Sequence, residues 1–103
     1  DRKMKNLTYN QQEKIIKKLL SKLENWEDTS YKHDTCRSIG TSKDNKYLKL
    51  FIPNSKIQYI ENEDYNTFNL NYEDEKIEKR IENIKDIEKA IKECLKAEKE
   101  IFK

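Results

Sequence analysis

Residues 46–60, KYLKLFIPNSKIQYI, form the most apolar and most aromatic run of the chain, and the rest must be built to pack around it. In its first half Leu48, Leu50 and Ile52 alternate with Tyr47, Lys49 and Phe51. A period of two marks a strand with two distinct faces. Pro53 then fixes φ and removes a ladder donor, as position i+1 of a turn allows. The run therefore predicts a β-hairpin about Pro53-Asn54-Ser55, with strands at 46–52 and 57–60.

The flanking segments predict helices. Ile15, Ile16, Leu19, Leu20, Leu23 and Trp26 recur at helical spacing, while Lys14, Lys17, Lys18 and Lys22 fall on the opposite face. Thr8-Tyr9-Asn10-Gln11 has the form of a capping box, with Leu7 as a hydrophobic staple. The first helix is thus expected over about 9–26. After it, 31–39 alternates loosely and is read as a first strand, and Gly40 opens a loop over 40–45, where glycine admits a positive φ. Residues 66–71 form a further strand, with Phe68, Leu70 and Tyr72 on one side.

Asn71 then fits the cap of a last helix over about 73–103, with Glu73, Asp74 and Glu75 near its positive end. Its stripe is Ile77, Ile81, Ile84, Ile91 and Leu95, widened by Ile87, Cys94 and Ile101. Such a helix is about 45 Å long, whereas a six-residue strand spans about 20 Å. It should overhang the sheet, leaving Leu95, Ile101 and Phe102 to bury themselves on a second copy or a partner. The expected fold is a single α+β domain over 1–103, two-layered, in the order α-β-β-β-β-α with an antiparallel sheet.

Composition bounds the core. The chain is 41% charged and 34% hydrophobic, with no Val, yet its net charge is only +2. That combination predicts a folded domain with a thin core, for which a dimer or a bound partner is a natural supplement. Lys (19), Ile (12) and Asn (10) are frequent, and all three have AT-rich codons. No apolar run approaches the roughly 18 residues of a membrane span, and no signal peptide is evident, so a cytoplasmic location is expected. Cys36 and Cys94 are expected to be reduced there. Met4 is a candidate natural start, which would leave Asp1–Lys3 as non-native residues.

The chemistry-bearing residues exclude more than they suggest. His33 and Cys36 are three apart, so on a strand they face opposite ways and cannot form a Cys–His dyad. One His and two distant Cys cannot fill a four-ligand zinc site. With one Gly and no G-x-x-x-x-G-K-[ST] pattern, a phosphate-cradling loop is not expected. No enzyme and no cofactor or metal are therefore expected.

Charge is split along the chain: Glu61, Glu63 and Asp64 open an acidic stretch that also holds Tyr65, whereas the first half is lysine-rich. Together with Tyr47, Phe51 and Tyr59, the acidic stretch is the candidate surface for a protein partner, since aromatic residues are enriched at interface cores. The plainer account is a solvated acidic loop. The expectation is a non-enzymatic protein-binding module, of the size and AT-rich composition of a phage or mobile-element inhibitor, anti-defence or anti-CRISPR-like. The alternative is a nucleic-acid-binding regulator using Lys14, Lys17, Lys18, Lys22, Lys46 and Lys49 on phosphates. A solvated lysine face accounts for the same residues. A homodimer through Leu95, Ile101 and Phe102 is compatible with either.

Overall fold

A computed structural model describes residues 9–30, 37–53 and 67–102. The chain runs α1 (Tyr9–Lys22), β1 (Glu27–Asp28), β2 (Ser38–Lys43), β3 (Lys46–Phe51), β4 (Phe68–Glu73), β5 (Glu78–Ile84) and α2 (Ile87–Ile101). The strands form one antiparallel sheet in sequential order, a meander between two helices. The α+β class and the helix–sheet–helix order are as expected.

Alternation decides which face is covered. Leu48 and Leu50 of β3 point the same way as Ile39 of β2 and Phe68, Leu70 and Tyr72 of β4, and all are buried. They form one core cluster with Ile16, Leu19 and Leu23 of α1 and Ala90, Ile91, Cys94 and Ala97 of α2. Both helices therefore lie on the same side of the sheet. The small side chains Ala90 and Ala97 bring the backbone of α2 close to the strands. Truncating a fully buried leucine such as Leu50 to alanine is expected to cost about 2–5 kcal/mol.

Side-chain bonds tie the elements together at their ends. Gln12 Nε2 donates to the Pro53 carbonyl at 3.3 Å. Arg37 bridges Glu13 of α1, at 2.6 Å, and Asp28 of β1, at 3.0 Å. Beyond α2, Lys43 Nζ donates to the Phe102 carbonyl at 2.9 Å and Lys46 Nζ to that of Ile101 at 3.5 Å. These cations occupy the negative end of the helix dipole.

Several boundaries differ from the sequence expectations, each for a local reason. α1 ends at Lys22 rather than near Trp26, because the chain turns there and brings the Trp26 indole into the core. Gly40 lies in β2, not in a loop. The turn is Asp44-Asn45, both with positive φ (54° and 69°), as a tight two-residue hairpin requires. Both edges of β3 are occupied, by β2 and β4, so the hairpin it forms is with β2 and not about Pro53. The expected strand at 57–60 and most of that expected at 31–39 lie outside the described residues.

The largest correction concerns the long final helix. Residues 73–84 are not helical: Asp74 Oδ1 accepts from the amides of Lys76 (2.8 Å) and Ile77 (2.9 Å), closing a turn into β5. Isoleucine suits a strand, and the charges of β5 suit a sheet edge. Helix α2 starts only at Ile87, and its N-cap is Asp86, which accepts from the Lys89 amide, not Asn71. At 15 residues it is about 22 Å long and matches the sheet instead of overhanging it.

Candidate functional site

The helices take one face of the sheet, and on the other Tyr47, Glu73, Glu78, Arg80 and Asn83 are exposed. No described element packs on that second face, and register lays its residues out in rows. Across the sheet run Ser42–Tyr47–Glu73–Glu78, then Gly40–Lys49–Asn71–Arg80, then Ser38–Phe51–Asn69–Asn83, with Glu27 beside Gly40. Tyr47 is 49% exposed, the most open aromatic side chain of this face. A depression of about 280 Å³ is floored by Gly40 and walled by Tyr47, Phe51, Asn71, Glu73 and Glu78.

Gly40 is required there by space rather than by φ. A Cβ at this position would stand 2.9 Å from the Leu48 carbonyl oxygen and 3.3 Å from Thr29 Cγ2. The missing side chain lets the strands approach and leaves the floor of the depression open.

The rows differ in how their polar groups are satisfied. Asn83 Nδ2 donates to Thr67 Oγ1 at 2.7 Å and to Asn69 Oδ1 at 2.8 Å. In the middle row Lys49 Nζ lies over the Phe51 ring, 5.5 Å from its centroid. Asn71 Oδ1 is buried and has no hydrogen-bond partner. In the outer row Glu73 stands directly opposite Glu78.

Tyr47 and Phe51 thus share one face, with Lys49 between them. Tyr59, Glu61, Glu63, Asp64 and Tyr65 lie outside the described residues. The six candidate phosphate-binding lysines do not form one surface. Lys14, Lys17, Lys18 and Lys22 are exposed on α1, with Lys18 paired to Glu88 at 3.2 Å. Lys46 is at the end of α2, and Lys49 is on the far side of the sheet. Sequence reading misses Asn71, Glu73 and Glu78, because 71–78 reads as the cap and start of a helix, and misses Glu27, which falls between the expected first helix and the expected strand at 31–39. The alternation of Asn69, Asn71 and Glu73 with Phe68, Leu70 and Tyr72 carried the signal.

Leu95 and Phe102 border a second, shallow concavity of about 750 Å³ between α2, the end of α1 and the β2–β3 hairpin. Leu95 is 47% exposed, whereas Ile101 and Phe102 are half-buried and pack against the core. Without an overhang, the length argument for a second copy there does not carry over.

Elsewhere, titratable groups serve the fold. Burial pushes the Cys94 thiol up to about 12, helped by the nearby Glu98 and Glu93 carboxylates. The Tyr72 hydroxyl donates to Asp74 Oδ2 at 2.7 Å, which raises the tyrosine above its ordinary value and lowers the carboxyl below its own. Among the described residues no group of three His, Cys, Asp or Glu side chains is placed to hold a metal ion. No described helix is long and apolar enough to cross a membrane. The chain matches no protein-family model, and neither the curated proteins nor the solved structures include a significant match to it.

Proposed function

We propose that this chain is a non-enzymatic protein-binding module whose working surface is the open face of the sheet. The observation that carries the reading is the placement of Tyr47 and Phe51 beside a depression on a face that no described element covers. Aromatic anchors around a concavity are the usual centre of a protein interface. The finer reading, a phage or mobile-element inhibitor acting on a host protein, draws its support from small size and AT-rich composition.

The second reading, nucleic-acid binding, rests on the exposed lysines of α1. It places the working surface on the helical side. Affinity capture with the wild-type chain and with the Tyr47→Ala/Phe51→Ala variant, each with and without nuclease, separates the two. A protein recovered in both nuclease arms and lost with the variant supports the first. Recovery that vanishes with nuclease and survives the variant overturns it.

A further inference from the structure

The depression holds hydrogen-bond acceptors that lack donors. Glu27, Glu73 and Glu78 line it and are exposed. Among the described residues none of these three carboxylates has an ion-pair or hydrogen-bond partner. Asn71 Oδ1, in the adjacent row, is buried without a donor. Lys49 lines the same depression but lies over Phe51, and Arg80 of that row is already partnered.

The opposed pair Glu73–Glu78 sharpens the point. Like charges directly opposite on a sheet repel and destabilise it. The sheet contains another such pair, Lys43 opposite Lys46, and there the repulsion is answered by the carbonyls of Phe102 and Ile101. Nothing among the described residues answers Glu73 and Glu78. A group that supplied positive charge and several N–H donors would complete the carboxylate pair.

From this complementarity we infer that the open face docks a basic segment of a partner protein, an extended peptide that places a Lys or Arg side chain in the depression. This rests on the reading of the open face as a protein-binding surface. The opposed carboxylates of Glu73 and Glu78 take the cationic head, and the Tyr47 ring, directly across from Glu73, flanks the aliphatic stem. A nucleic-acid backbone is disfavoured on this face, since its phosphates would meet the carboxylates.

The test uses the ¹⁵N-labelled full chain and two synthetic peptides, one alternating Arg and Ser, the other alternating Glu and Ser. The Arg–Ser peptide should shift the amide signals of Tyr47, Asn71, Glu73 and Glu78 saturably, and less so as salt rises. The Glu–Ser peptide should not. Glu73→Gln/Glu78→Gln should weaken binding about tenfold while raising the thermal midpoint, because the repulsion is gone. Glu24→Gln/Glu100→Gln, an equal change of net charge at exposed sites elsewhere, should leave affinity unchanged. Equal weakening by both double variants, or undiminished binding by Glu73→Gln/Glu78→Gln, overturns the inference. If Tyr47→Ala/Phe51→Ala abolishes partner capture but the Arg–Ser peptide shifts none of these amides, the basic partner falls and the open-face function stands. Saturable shifts of these amides by oligothymidylate, with none by the Arg–Ser peptide, overturn both.

Discussion

Trp26 Nε1 donates to Glu98 Oε1 at 2.9 Å, and the other oxygen of the same carboxylate accepts from Asn25 Nδ2 at 2.7 Å. One side chain of α2 thereby fixes the point where the chain leaves α1 and enters the sheet. Glu98→Ala leaves the indole N–H of a buried tryptophan without its acceptor. The expected loss is about 1–3 kcal/mol, and Glu98→Gln, which keeps an acceptor, should lose less. Urea unfolding followed by Trp26 fluorescence measures both, and an unchanged slope would assign the loss to the native state.

The hairpin turn makes a second prediction. Asn45 has φ 69°, a region where a β-carbon is strained by about 1–2 kcal/mol and where only Gly, Asn and Asp are at ease. Asn45→Gly should be neutral or mildly stabilising, whereas Asn45→Val should destabilise by about 1–2 kcal/mol. The midpoints of the two variants, compared in one thermal series, decide the matter.

The Tyr72–Asp74 bond predicts a pH profile with two limbs. The Tyr72 hydroxyl, then the amides of Ile77 and Lys76, hold the Asp74 carboxyl below its ordinary value of 3.8. That contribution to stability is complete above 3.8 and disappears as pH falls through the lower folded value. The bond to Asp74 and partial burial hold Tyr72 above its ordinary value of 10.0. Its contribution is complete below 10.0 and disappears as pH rises through the higher folded value. Tyr72→Phe should therefore lower the urea midpoint across the neutral range, with the difference from wild type closing at both extremes.

Cys94 is fully buried, and its thiol is pushed up to about 12. Nucleophilic attack requires the thiolate. In a Cys36→Ser background, an aromatic disulfide reagent at neutral pH should label the native protein only as fast as it opens, and label it at once in urea. Fast native labelling would place the thiol at the surface.

What could be read from the sequence was whatever one period expressed without interruption. The two-residue period of Leu48, Leu50 and Ile52, and that of Phe68, Leu70 and Tyr72, mark strands whose inner faces are buried as read. The stripe of α1 is likewise legible in Ile16, Leu19 and Leu23. β5 was not legible, because its ladder is irregular. Pairing passes from Leu70↔Glu82 to Asn71↔Arg80, so Ile81 is an extra residue. That bulge resets the alternation and puts Ile81 and Ile84, three apart, against the same core. Spacings of four and three from Ile77 then imitate a helix. The acidic part of the open face went with it, since Glu73 and Glu78 face each other only once β5 is a strand.

The side-by-side alternation of β3 separates two kinds of inheritance. Leu48 and Leu50 answer to the core, whereas Tyr47, Lys49 and Phe51 stand on the face that no described element covers. Substitutions in the two sets should add nearly independently where the side chains share no partner. The outer set can therefore be changed again and again while the inner set keeps the same scaffold standing.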